Sequence, residues 1–173
     1  MTNLFVWASI GENGKATGGK KGDQTGREVR VGVYYDFGQD KCIRIKNPIR
    51  RKKLAKIAKF LANSNVVGYA QDTRTTLHIE CKTYNWKWSE IKKAISNGSF
   101  LKSNTDCSEF YAVCVNLAYG REILPWDCTT RNLVKRCVVD HKSNFKLTKH
   151  FPPKQWCKGD APIKEGKHII INV

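Results

Sequence analysis

The spacing of apolar residues along the chain changes period several times, and each change predicts an element. Glu28-Val29-Arg30-Val31-Gly32-Val33-Tyr34-Tyr35 alternates, the pattern of a half-buried strand, and Cys42-Ile43-Arg44-Ile45 reads as a short second one. From Arg50 to Asn63 the period becomes helical. Leu54, Ile57, Ala58 and Leu61 fall on one face, with Arg51, Lys52, Lys56 and Lys59 elsewhere. Residues 73–82 fit neither period cleanly. A short helix starts at Trp88-Ser89 with Ser89 as its expected cap, and Asn97-Gly98 closes it.

The polar run Ser103-Asn104-Thr105-Asp106 gives way at Cys107 to a helical stretch ending near Leu117, with Gly120 as its stop. Thr129 or Thr130 is expected to cap a further short helix through Arg136. Lys142 to His150 reads as a loop or weak strand, Pro152-Pro153 breaks the chain before Trp156, and Lys167 to Val173 reads as one final strand. Residues 9–27 carry six glycines and read as a loop lying over something, or as a flexible arm. Helices are expected before a strand-rich end, with no βαβ alternation and no internal repeat. The fold class is therefore α+β, with helices packed on one face of an antiparallel sheet.

At 173 residues the chain suits a single domain spanning 1–173, with no separate wall-binding module in view. Its 31 Lys and Arg against 15 Asp and Glu give a net charge of +16, which favours polyanionic partners such as nucleic acid or an anionic cell wall. No stretch approaches the ~20 apolar residues of a membrane span. The N-terminus lacks the basic start and apolar region of a secretory signal, so cytoplasmic synthesis is expected. Without that signal, the seven cysteines are expected to stay free. Cys128, Cys137, His141, His150 and Cys157 match no standard zinc spacing, and neither a metal nor a cofactor is expected.

Cys107 falls in the first turn of its helix, where unpaired N–H groups and the helix dipole favour a thiolate. His168 lies 61 residues further on, in the strand-like Gly166-Lys167-His168-Ile169-Ile170-Ile171. A thiol at a helix start followed by an imidazole on a strand can form a nucleophile–base pair, and the backbone N–H of Cys107 can serve an oxyanion. The pair needs a polar group to orient the imidazole. Asn172 shares the face of His168, but four residues of strand put it about 13 Å away. Asp140, His141 or a loop residue remains open for this role.

Four segments resemble the papain-like, NlpC-type cell-wall peptidases of phage endolysins. They are Ala8 to Lys15 with Gly18-Gly19-Lys20-Lys21-Gly22-Asp23-Gln24-Thr25-Gly26-Arg27-Glu28-Val29; Leu61 to Gln71; Thr105-Asp106-Cys107-Ser108; and Lys158-Gly159-Asp160-Ala161-Pro162 with Gly166-Lys167-His168. Their order and reach across the chain match that family. The resemblance implies a papain-like fold with Cys107 as nucleophile and His168 as base. It implies that Asp106 and Ser108 contact the substrate amine or fix the helix start. It further implies that Tyr69 lines the cleft, and that Gln24 and Thr25 belong either to the cleft or to a turn framing the first strand. Where relatives commonly carry Cys-Ser-Ser, this chain has Cys107-Ser108-Glu109. That glutamate suits the helix dipole, yet is expected to place negative charge near the thiol and raise its pKa.

The function expected is hydrolysis of a peptide or amide bond in the stem peptide or cross-bridge of bacterial peptidoglycan. Anionic wall polymers would be its partners. The alternatives are a basic nucleic-acid-binding module stacking bases on Trp86, Trp88, Trp126 and Trp156, or a papain-like acyltransferase or toxin.

Overall fold

The structure, a computed structural model, describes residues 3–149 and 155–173. It is α+β, and three strands precede the first helix: β1 (Leu4–Ala8), β2 (Val29–Val33) and β3 (Lys41–Ile45). The expected order of helices first is thereby corrected. The sequence pattern had missed β1 because Leu4-Phe5-Val6-Trp7-Ala8 is apolar throughout and does not alternate. Four of its five residues are buried. β1 pairs antiparallel with β2 and with β9 (Ile171–Asn172).

A second antiparallel sheet runs in the order β6 (Phe145–Lys149), β3, β7 (Ala161–Lys164), β8 (His168–Ile169). The single final strand expected from Lys167 to Val173 is in fact two. β8 pairs with β7 and β9 with β1, and the chain changes sheet at Ile170, whose N–H bonds Pro162 O at 3.2 Å. The change follows from packing. Ile170 is buried with Phe5, Trp7 and Trp156 in a small separate cluster, while Ile169 and Ile171 belong to the main core.

Helix α1 (Pro48–Ala62) is capped by Asn47, whose side chain accepts from the N–H groups of Ile49 and Arg50, with Pro48 at its first position. It buries Leu54, Ile57, Ala58 and Leu61, as its spacing required. Two three-residue strands, β4 (Val67–Tyr69) and β5 (Ser103–Thr105), pair in parallel across α2 (Thr76–Thr83) and α3 (Trp88–Ser96). This is a small βαβ-like crossover where none was expected; strands of three residues are too short to show a period. In α3 the expected cap Ser89 lies inside the helix, and Lys87 holds the cap position without a side-chain bond.

Helix α4 (Cys107–Tyr119) runs through the centre of the molecule, with eleven of its thirteen residues buried, and Gly120 ends it in the left-handed conformation at φ 70°. Such all-round burial obliges its polar residues to find internal partners. Asn116 does so by binding Ile123 N (2.7 Å), Leu124 N (2.8 Å) and Leu124 O (2.8 Å), which pins the following loop. The helix expected after Thr129 or Thr130 begins later. Its α-helical part, α5, is only Leu133–Lys135, continued by one wide turn over Arg136–Asp140. Thr129 is not a cap; it donates its own N–H to Asn132 Oδ1 at 2.8 Å.

The glycine-rich segment 9–27 is seated rather than free. Gly22 N bonds Ser103 O, Asp23 N bonds Asn65 O and Gln71 N bonds Ala16 O, while Asn104 Nδ2 donates to Gly19 O. Gly68 lies under this segment so tightly that a Cβ there would stand 2.2 Å from Gly22 O.

Candidate active site

Cys107 is the first residue of α4, and Asp106 is its cap. One carboxylate oxygen of Asp106 accepts from Glu109 N and from Ser108 Oγ, each at 2.7 Å. The other faces Arg74 Nη1 at 3.1 Å, and that same nitrogen donates to Cys128 O at 2.5 Å. Asp106 and Ser108 therefore fix the helix start, one of the two roles the resemblance implied. The strands bring His168 to the same place. α4 packs against β8, and the N–H of Ile169, the residue after His168, reaches the Cys107 sulphur.

Both groups line a cleft of about 700 Å³ together with Ser9, Tyr35, Tyr69, Gln71, Arg74, Asp106 and Ser108. Thr129, Thr130, Arg131, Gly166 and Lys167 form the rest of its wall. Tyr69 occupies the position expected of it, with its hydroxyl accepting from Gln71 Nε2 at 3.2 Å. Gln24 does not line the cleft. Its side-chain amide donates to Lys21 O (2.9 Å) and Gly22 O (3.0 Å), and Thr25 bonds Glu28. These two residues build the turn before β2. Asp140 and His141 are also absent from the cleft wall.

No polar third group holds the imidazole through Nε2, which is buried without a hydrogen-bond partner among the described residues. Aromatic rings set its orientation instead: Phe37 meets it edge-on at 5.4 Å and Tyr35 lies at 6.4 Å. Phe37 and Tyr35 carry no motif. Tyr35 closes the alternating run and Phe37 lies two residues beyond it, and nothing in that pattern marked either as a site residue.

The electrostatics reverse the thiolate expectation. Burial pushes the Cys107 thiol up to about 12 and the Asp106 charge adds to that, against the downward pull of the N–H groups of Ile169, Ser108 and Cys107 itself. Burial likewise lowers His168 to about 4, opposed by Asp106. Both groups are thus neutral in the free protein at pH 7. Glu109 plays no part in this, contrary to expectation. It is fully buried on the opposite side of the turn, with Oε1 2.8 Å from His78 Nδ1. The charge next to the thiol is that of Asp106.

The seven cysteines are free, and all but Cys107 and Cys157 are buried. Among the described residues no three His, Cys, Asp or Glu side chains converge as metal ligands, and His150 lies outside them. Of the tryptophans offered as a base-stacking platform, Trp86 and Trp156 are core residues and only Trp126 is largely exposed. Among the described residues no helix is long and apolar enough to cross a membrane.

Fold and cleft together define an α+β protein that turns a helix-borne thiol and a strand-borne imidazole toward one polar groove. Residues 6–173 match the family model described as the endolysin-like domain (ELLD), and the chain belongs to that family. Membership suggests a phage cell-wall hydrolase role, with peptidoglycan as substrate. No curated protein and no solved structure matches the chain.

Proposed function

We propose that this endolysin-like domain is a papain-like, NlpC-type cysteine hydrolase that cleaves a peptide or amide bond in the stem peptide or cross-bridge of peptidoglycan. The observation that carries the proposal is the meeting of Cys107, at the first position of α4, with His168 on β8 in one cleft. Because both groups start neutral, His168 acts as a general base. It takes the thiol proton as the sulphur attacks the carbonyl, so no standing ion pair is needed. The backbone N–H groups around the sulphur are donors for the negative charge that develops. The imidazolium then protonates the leaving amine as the C–N bond breaks. Water, deprotonated by His168, attacks the thioester, releases a carboxylate and restores the thiol.

The test is loss of turbidity in a Gram-positive cell suspension, with mass spectrometry of the fragments released. Wild type should lyse the cells and expose a new amine and a new carboxylate. Cys107→Ala and His168→Ala should lose at least ~1000-fold in rate. Equal lysis by wild type and Cys107→Ala would sink the mechanism.

A further inference from the structure

We propose that Arg131 and Lys167 form a carboxylate-binding rim on the histidine side of the cleft, so that the preferred substrate is an acidic peptide strand. The proposal rests on the Cys107–His168 reading of this cleft. Four residues on its wall carry fixed charge: Arg74, Asp106, Arg131 and Lys167. Arg74 and Asp106 are paired with each other, and Arg74 is held further by Cys128 O. The charge left over is that of Arg131 and Lys167. Neither side chain has an ion pair or hydrogen bond among the described residues. Arg44, Arg50 and Arg136, by contrast, are all bonded within the fold.

Their position is built by the turn that delivers the base. Gly166, at φ 75°, leads from β7 into β8, and Arg131 runs alongside it. A Cβ on Gly166 would lie 3.7 Å from Arg131 Cγ and 3.8 Å from Nε. Lys167 follows, and then His168. Two unpaired cations from separate segments are thus brought beside the imidazole, with Thr129 and Thr130 next to them on the same wall. A guanidinium presents two parallel N–H donors that match a carboxylate, an ammonium adds a point charge, and a groove focuses both fields. Peptidoglycan stem peptides offer such carboxylates, and an amide at the same position offers no charge.

The experiment compares two synthetic stem tetrapeptides, L-Ala-γ-D-Glu-L-Lys-D-Ala with the glutamate α-carboxylate free, and the same peptide with that group amidated. Calorimetric binding to Cys107→Ala protein is measured, beside kcat/KM with active protein. The free acid should bind more tightly, by about fivefold per cation at low salt, and 0.5 M NaCl should compress the difference. Arg131→Ala and Lys167→Ala should each remove about one such factor. The double variant should bring the acid-to-amide ratio to about one, and Arg131→Lys should restore part of it. A ratio near one in the starting protein, or an unchanged ratio in a double variant with native circular dichroism, overturns the proposal. Turnover by Cys107→Ala overturns the catalytic reading instead, and leaves the binding comparison to stand or fall separately.

Discussion

Glu109 is fully buried, and replacing it by Gln should make the protein more stable at pH 8 while leaving it nearly unchanged at pH 4. Its side chain is fully buried on α4, facing His78, which itself lies between Glu109 and Glu122 and packs edge-on against Trp86. Burial raises the Glu109 carboxyl from 4.5 to about 7, opposed by His78 and by Arg74. A folded-state pKa above the unfolded one means that the native protein binds this proton more tightly. Stability from the group is fully present below pH 4.5 and is lost as pH rises through 7. The shift of about 2.5 units, with the opposing pull of His78 and Arg74 already in it, corresponds to roughly 3 kcal/mol. Glutamine carries no charge and keeps an amide toward His78. The difference in unfolding free energy between Glu109→Gln and wild type should therefore grow from near zero at pH 4 to as much as ~3 kcal/mol at pH 8. Urea unfolding followed by tryptophan fluorescence at several pH values measures it. The refuting result is a wild type whose stability, relative to the variant, stays flat or rises between pH 4 and pH 8.

Two further outcomes follow from the same structure. With its thiol at about 12, Cys107 should hold about a thousandth of the thiolate of an ordinary cysteine at pH 8. Iodoacetamide labelling of Cys107, read by peptide mass spectrometry, should then climb steadily from pH 7 to pH 10; a plateau at pH 5–6 would instead reveal a standing thiolate–imidazolium pair. Asp160→Ala should cost roughly 3–5 kcal/mol and lower Tm by on the order of 10 °C. The buried carboxylate of Asp160 receives Arg44 Nε at 2.7 Å, Arg44 Nη2 at 2.5 Å and Cys157 N at 2.8 Å, and the substitution would remove all three bonds together with the charge that faces the guanidinium. An unchanged thermal midpoint would refute that account.

Asp160 also explains one of the sequence blocks that carried the family resemblance. Gly159 N bonds Asn172 O at 2.7 Å and Asn172 N bonds Asp160 O at 2.8 Å, so Lys158-Gly159-Asp160 ties the last strand into place. Gly159, at φ 86°, passes so close to α1 that a Cβ would stand 2.2 Å from Arg51 O. The Gly-Asp-Gln-Thr-Gly block is structural in the same way. Asp23 Oδ1 accepts from the N–H groups of Thr25, Gly26 and Arg27, and Glu28 closes the turn. The segments Lys158-Gly159-Asp160 and Gly22 to Glu28 hold the scaffold around the cleft without forming its wall, which takes Ser9 and Gly166-Lys167-His168 from the same blocks.

Local chemistry was enough for the sequence to determine the body of α1 with its one apolar face, though not its start at Asn47-Pro48, and α4, with Asp106 before it and Gly120 after it. The same chemistry placed Cys107 at a helix start and His168 on a strand. Caps and periodicities act over a few residues, and so are written in consecutive positions. Everything that turns those two residues into a site was decided by tertiary structure. Burial outweighs the helix dipole at Cys107, because desolvation depends on what packs around the sulphur. Burial also turns Glu109 toward His78 and away from the thiol. The switch of sheet at Ile170, the rings of Phe37 and Tyr35 on the imidazole, and the approach of Arg131 to Gly166 all join segments distant in the chain. No local pattern encodes such contacts; they exist only once the core has closed.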